Sequence, residues 1–546
     1  MRALRIAAAV AAAVALTLPA VAPAASVDVR VLAFNDFHGN IEAGGSVDTP
    51  GGREVDAGGA AYLATHVRRL AARTPGTLVL STGDLVGASP LVSSLFHDEP
   101  TIEAANLLGV DAGTVGNHEF DEGIAELQRL RRGGCHPTDG CQDGTPFRGT
   151  DFPLLAANVV RASDGKRIFP AYTILRSRGQ RIGVIGTVLQ ETPSVVTPSG
   201  VAGLRFRDEA VATNEAVSAL RRRGVRTIVA LVHQGGAQAG DDATIDGCDD
   251  LEGPIVDISR RMSREVEVVL SAHTHQAYNC RVARRPVISG LSYGRLLTDV
   301  VLRVDTVTGQ TTRVTARNRI VTRTVKPFAP MRALVRRYQG LAAPIQSRSI
   351  GTLAGALTRQ ESPAGETTLG DAIADAQLAA TAAPAQGGAQ VAFMNPGGIR
   401  ADLRAGPVTY GEAFAVQPFG NILTTLTLTG AQIDELLEQQ FSGGNAEEPR
   451  VLQVSQGFTY RWSKGAAAGQ KVDPASIALN GQPIAPTQSV RVVVNNFLAD
   501  GGDGFTVLTE GTNRLGGAVD VDAFAAYLTA RSPLPVPAGG RITVTP

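Results

Sequence analysis

The sequence predicts an α/β protein of two domains, on three observations. The chain has 546 residues, more than one hydrophobic core usually organises. Through residues 27–325, short apolar strands alternate with helical runs. That is the pattern of a layered sheet core with helices outside it. A proline-flanked helical stretch at 330–345 then separates this half from a second strand-and-helix region that starts near Ser347. The expected division is a leader at 1–24, a first domain at 25–327, a linker helix at 328–346 and a smaller second domain at 347–546.

The leader reads as a signal peptide. Arg2 and Arg5 precede an apolar run at 6–18, and Ala22-Pro23-Ala24 is a small-x-small cleavage site. The apolar run is short for a membrane span and ends in prolines. Cleavage near Ala24 and a secreted or extracytoplasmic location are expected, with no stable membrane anchor. Hydrophobic content of 43% and charged content of 19% are ordinary for a globular protein. A formal net charge of +0 argues against a general polyanion surface, so no nucleic-acid polymer is expected as a partner. The cysteines Cys135, Cys141, Cys248 and Cys280 contain no C-x-x-C pair. In an exported chain they are expected to form disulfides, and of the three possible pairings Cys135–Cys141 with Cys248–Cys280 is the favoured one.

Taken in order, Val27, Val29, Val31 and Ala33 alternate in a first strand that ends in Asn35-Asp36-Phe37-His38-Gly39. A helix is expected at 60–72, then a buried strand at 78–80 ending in Ser81-Thr82-Gly83-Asp84. Residues 110–115 lead into Gly116-Asn117-His118-Glu119-Phe120-Asp121 and a helix at 122–130. A strand at 154–160 and a hairpin around Arg178-Gly179-Gln180 follow. Residues 227–232 end in His233, and 266–270 end in Ser271-Ala272-His273-Thr274-His275. The linker carries Leu334, Tyr338, Leu341 and Ile345 at helical spacing. Beyond it a helix at 369–380 and strands at 391–394, 422–428, 451–462 and 490–495 are expected.

These strand ends collect Asp36, His38, Asp84, Asn117, His118, His233, His273 and His275 at what reads as the carboxyl edge of one sheet, where ligands gather in open α/β folds. His66, His97 and His136 read as surface or packing residues. Carboxylate, imidazole and amide donors together suit Zn, Mn, Fe or Co, and the number of donors implies two ions. Asp36/His38 and His273/His275, each at i, i+2, would share a face of an extended segment. Asp84 has two oxygens to offer and is the natural bridge. Two ions about 3.5–4 Å apart would clamp a phosphoryl group and activate water. His118 is either a ligand or an acid, and Asp121 is placed to orient its ring.

These motifs, in this order, resemble the calcineurin-like metallophosphoesterases, and specifically their 5′-nucleotidase branch. The likeness continues through Asn395-Pro-Gly-Gly-Ile-Arg400, Gln417-Pro-Phe-Gly-Asn421 and Asn496-Phe-Leu-Ala-Asp-Gly-Gly-Asp-Gly-Phe505. It implies a four-layer α/β/β/α sandwich followed by a smaller C-terminal α/β substrate-binding domain that rotates about the linker. It assigns one ion to Asp36, His38, Asp84 and His275, and the other to Asp84, Asn117, His233 and His273. It makes His118 a transition-state stabiliser oriented by Asp121. In the second domain it implies that Phe419 and Phe497 sandwich the base and that Asp503 receives the ribose hydroxyls. Arg359, Asn395 and Arg400 would hold phosphate or neighbouring polar groups. Pro396, Asp371 and Gln234 depart from the family's usual Gly, Asn and Glu, and the Cys135–Cys141 loop looks like an insertion.

The expected activity is hydrolysis of nucleoside 5′-monophosphates by an exported monomer. A nucleotide-sugar hydrolase and a 2′,3′-cyclic nucleotide phosphodiesterase are alternatives on the same centre. A sulfur-oxidising hydrolase on this scaffold is disfavoured by Phe419, Phe497 and Asp503. A binding protein with a dead centre would have lost ligands, and none is lost here.

Overall fold

A computed structural model describes residues 25–49, 52–196, 198–240 and 243–546. The expected signal peptide lies outside the described residues. The first domain is built on two six-stranded sheets. In the first sheet the strands run, edge to edge, Thr311–Ile320, Leu296–Asp305, Ser26–Phe34, Leu78–Ser81, Ala112–Thr114 and Leu154–Leu155. In the second they run Ala277–Val282, Arg285–Gly290, Val268–Ser271, Thr227–His233, Gln180–Val188 and Tyr172–Ser177.

The sheets pack face to face. Val29, Val31, Ala33, Leu78 and Leu80 of the first meet Val184, Val229, Leu231, Val268 and Leu270 of the second. The outer face of the first sheet, with Leu32, Phe34 and Val79, packs under helices Ala60–Arg73, Glu99–Leu108 and Gly123–Arg132. The outer face of the second, with Ile185, Ile228, Ala230 and Val232, is covered by helices Glu209–Arg222 and Pro254–Arg261. The layers are therefore α/β/β/α. Thr227–His233 is buried at every residue, which explains its unbroken apolar sequence. Asp208 caps the helix that follows Leu204–Phe206, accepting a hydrogen bond from the Val211 amide at 2.8 Å.

Two expected strands each split between sheets. Residues 154–160 form Leu154–Leu155 in the first sheet and Val159–Arg161 in a separate two-stranded ribbon. The Asn158 side chain makes the break, donating to the Val188 carbonyl and accepting from the Val188 amide like a strand backbone. Residues 451–462 likewise divide into Gln453–Val454 and Phe458–Ser463. The hairpin forms as expected, with Ser177 opposite Gln180. Both expected disulfides are present.

The linker helix, Ala329–Gln346, docks on the first domain. Its buried stripe is Met331, Val335, Tyr338 and Ala342. This corrects the expected stripe: Leu341 and Ile345 are 43% and 40% exposed. The Tyr338 hydroxyl lies 3.1 Å from Glu103 Oε2 and 3.0 Å from Asp143 Oδ2, within hydrogen-bond reach of both, which fixes the rotation of the helix.

In the second domain a five-stranded sheet runs Gln453–Val454, Val391–Met394, Ser489–Asn495, Ile422–Thr429 and Thr512–Val519. Helices Thr368–Thr381 and Asp520–Ala530 pack beside it, and a four-stranded sheet containing Phe458–Ser463 and Ile542–Thr545 adjoins it. Capping boxes at Thr409/Glu412 and Thr429/Gln432 start two of its helices.

Candidate metal centre and substrate cavity

The chemistry-bearing side chains meet at the carboxyl ends of both sheets, not at the edge of one. Asp36, His38, Asp84 and Asn117 follow strands of the first sheet. His233, His273 and His275 come from the second. Face-to-face packing brings the two sets within contact. Donor atoms of Asp36, His38 and His275 lie within 4.8 Å of one another, as do those of Asp84, His233 and His273. Asp84 Oδ2 stands between the two groups, 3.5 Å from His38 Nε2 and 3.1 Å from His233 Nε2. Asn117 Oδ1 is 3.2 Å from His233 Nε2.

The paired residues are not in extended backbone. Asp36 (φ 48°), His38 (45°), Asp84 (47°), His273 (74°) and His275 (55°) are all left-handed. Sharp turns after each strand aim these side chains inward, so strand alternation is not what pairs them. Such backbone costs about 1–2 kcal/mol per non-glycine residue and persists where surrounding structure fixes it. Glu119 supplies part of that fixing. Its carboxylate accepts the amides of Asp84 at 3.0 Å, Leu85 at 2.8 Å and Gly116. Gly116 must be glycine, because a Cβ would stand 2.1 Å from Asp84 Oδ1. Asn35 donates to Asp36 Oδ2 at 2.6 Å, and the His273 amide donates to Asp36 Oδ1 at 3.0 Å.

The tautomers suit a cation. His38 Nδ1 faces the Gly87 carbonyl at 2.7 Å and His233 Nδ1 faces that of Thr82 at 2.8 Å, leaving each Nε2 to the centre. Burial pushes His38 and His273 down to about 3 and His275 well below its ordinary value, so all three keep a free lone pair. For His233 burial favours the neutral ring, but the charge and hydrogen bond of Asp84 outweigh it and raise the group to about 10. Its proton sits among Asp84, Asn117 and Asp36, at a point where a metal cation would find the same donors. This buried set of carboxylate, imidazole and amide fits borderline divalent ions.

His118 lies beside this cluster, its Nδ1 2.8 Å from Asp121 Oδ2. Burial opposes its charge, yet Asp121 and Asp84 together raise its pKa above the ordinary value. Over it stacks Phe419 of the second domain, with ring centroids 5.7 Å apart and planes inclined by 22°. The two domains thus close a cavity of about 440 Å³, within the range of small-molecule sites. The first domain lines it with Asn117, His118, Asp121 and His273, and the second with Asn395, Arg400, Phe419, Phe497 and Asp503. The Arg400 guanidinium lies 5.9 Å from the Phe419 ring centre. The Phe497 ring edge packs on Gly502, where a Cβ would come within 2.5 Å. Asp503 accepts from Asn395 Nδ2 at 2.8 Å.

Arg359 does not line this cavity. It is half exposed and pairs with Asp402 at 3.2 Å. A different guanidinium, Arg450, stands at the wall and pairs with Asp503. Sequence reasoning missed it because Arg450 belongs to a loop with no chemical pattern around it. Glu119 was visible inside the hexapeptide, but its backbone partners were not.

Comparison with known proteins defines the class. Residues 29–277 match the calcineurin-like phosphoesterase model, and residues 349–510 match the 5′-nucleotidase C-terminal domain. The chain belongs to this two-domain family of metal-dependent phosphoester hydrolases. Among its relatives, "Endonuclease YhcR" of Bacillus subtilis is 34% identical over 93% of this chain. "Cell wall protein Lmo0130" of Listeria monocytogenes is 31% identical, also over 93% of this chain. The chain spans 40% of the length of the first and 68% of the second. A 5′-nucleotidase precursor from Thermus thermophilus superposes with a TM-score of 0.77 at 25% identity, covering 95% of this chain and 99% of that one.

Proposed function

We propose that this chain is an exported phosphohydrolase that removes the 5′-phosphate from nucleoside 5′-monophosphates, using two divalent ions. The observation that carries the reading is the cavity between the domains. The buried His/Asp cluster reaches one wall of it through Asn117 and His273, beside His118, and two aromatic side chains and a carboxylate form the other. Asp36, His38, Asp84 and His275 would hold one ion, and Asp84, Asn117, His233 and His273 the other, with Zn, Mn, Co or Fe as candidates. When bound, the pair supplies Lewis acidity toward a phosphoryl oxygen and acidifies a water nucleophile.

The chain's own residues do the rest. His118, protonated and oriented by Asp121, stabilises negative charge on the transferring phosphoryl group. Phe419 and Phe497 offer faces on which a base stacks. Asp503 accepts ribose hydroxyls, Asn395 holds its carboxylate in place, and Arg400 presents charge toward phosphate. Arg359 would act only from outside the cavity in this arrangement. The leader's composition supports export, and among the described residues no helix is long and apolar enough to cross a membrane.

The likeness to an endonuclease of Bacillus subtilis favours a second reading, phosphodiester hydrolysis on the same centre. One panel separates them: AMP, a nucleotide sugar, 2′,3′-cyclic AMP, bis-p-nitrophenyl phosphate and single-stranded DNA, each with and without chelator. AMP is expected to be the best substrate, with every activity lost in chelator. Preference for the diesters would install the second reading, and activity that survives exhaustive chelation would remove both.

A further inference from the structure

Asp98 borders the cavity but is neither a proposed ion ligand nor a proposed substrate contact. It is 6% exposed and sits on the turn that leads into helix Glu99–Leu108. Two donors hold its carboxylate. The Gly87 amide donates to Oδ2 at 3.0 Å, and the Ser93 hydroxyl donates to Oδ1 at 2.6 Å. Ser93 Oγ is in turn 2.7 Å from Thr101 Oγ1. Gly87 is also the residue whose carbonyl accepts from His38 Nδ1 at 2.7 Å. We infer that Asp98 is a positioning residue: by holding Gly87 it fixes the ring of His38, and with it the affinity of the ion that His38 would bind.

The inference rests on the proposed reading of His38 as an ion ligand. The Gly87 carbonyl sets which way the His38 ring faces, because Nδ1 must point at it for Nε2 to reach the centre. Gly87 has no side chain with which to anchor itself. Gly87 and Ala88 are both left-handed, φ 80° and 49°, a backbone that persists only where its surroundings fix it. Glu119 fixes the start of this loop through the amides of Asp84 and Leu85. Asp98 takes the next step, at Gly87. Two buried carboxylates therefore hold one loop, Glu119 behind Asp84 and Asp98 behind His38. The loop has little room to drift, since a Cβ on Gly87 would lie 2.7 Å from His118 Cβ and 2.9 Å from Asp121 Oδ2. Asp98 itself is left-handed, φ 58°, which glycine adopts freely. Asp98→Gly thus removes the carboxylate without straining the backbone. Asp98→Asn keeps both bonds: its Oδ1 accepts the Gly87 amide, and its Nδ2 donates to Ser93 Oγ, whose hydroxyl turns to Thr101.

The test is the zinc affinity of the full chain, stripped with chelator and titrated against a chromophoric competitor. Wild type should show two binding steps. Asp98→Gly should weaken one of them about tenfold, the low end of the roughly 10–100-fold range for residues that orient metal ligands, and leave the other unchanged. Asp98→Asn should bind as wild type does. In Asp98→Gly, kcat for AMP should fall at limiting zinc and recover in excess zinc with KM unchanged, a rescue that damage to the fold would not allow. If Asp98→Gly does not fold, Asp98→Ser takes its place with the same expectation, its hydroxyl being too short to reach both Gly87 and Ser93. Equal affinities in wild type and Asp98→Gly would overturn the role, as would a loss in Asp98→Asn as large as in Asp98→Gly. A wild type that binds no zinc would overturn the two-ion reading and the role with it, and is told apart because the unsubstituted chain itself fails.

Discussion

Asp121 and Asp84 outweigh the burial that opposes the charge of His118 and raise its pKa above the ordinary imidazole value. If the protonated ring is the working form, activity falls as pH rises through this raised pKa. Asp121→Asn removes the main support, so the alkaline limb of kcat should move to lower pH, read from a pH–rate profile. His118→Ala should cost about 10²–10³-fold in kcat, and an unmoved limb in Asp121→Asn would take His118 out of that role. Asp371 offers a test of stability. Burial raises its carboxyl to about 8, against the pull of Arg541. A folded pKa above the unfolded value means that stability is full below pH about 4 and is lost as pH rises toward 8. Asp371→Asn carries no charge to bury, so its melting temperature relative to wild type should climb between about pH 5 and pH 8. A constant difference across that range would show that Arg541 neutralises Asp371 fully.

At the scale of elements, the linker helix separates buried from exposed apolar residues sharply. Met331 is 1% exposed and Leu341 43%. Met331→Ala should destabilise the first domain by about 2–5 kcal/mol through the cavity it leaves, whereas Leu341→Ala should stay within about 0.5 kcal/mol. Denaturant titration of the two variants decides it, and equal losses would mean that the helix docks differently. The sequence showed this helix but misplaced its buried face, because Leu334, Leu341 and Ile345 are as apolar as the stripe that is buried, and only Tyr338 belongs to both. Strand ends were legible because each apolar run stops at a polar residue. Which sheet a strand joins was not, since residues 154–160 and 451–462 read as unbroken runs while the sheet change depends on contacts of Asn158 and Ser455 with distant strands. The cluster residues were legible as types, but their pairing arises from left-handed turns and sheet-on-sheet packing, which alternation along a strand does not encode.

The whole molecule divides its site between two domains. On the proposed reading phosphate chemistry falls to the first and base contacts to the second, so the paired substitution Phe419→Ala with Phe497→Ala should raise KM for AMP strongly. Stacking losses of about 1–3 kcal/mol per aromatic set the scale. Hydrolysis of p-nitrophenyl phosphate should not fall, because Phe419 only covers His118. Parallel loss of both activities would mean that the aromatics hold the fold. The Phe419–His118 stack also bears on timing. On the proposed reading, with Phe419 seated over His118 at a cavity of about 440 Å³ that both domains line, substrate entry and nucleoside release would draw on the domains parting. Parting moves a whole domain through solvent, and such motions commonly limit turnover. Friction would then enter the rate: kcat for AMP should decline as glycerol or sucrose thickens the medium, while a small ester that enters without the domains opening fully should be nearly indifferent to it.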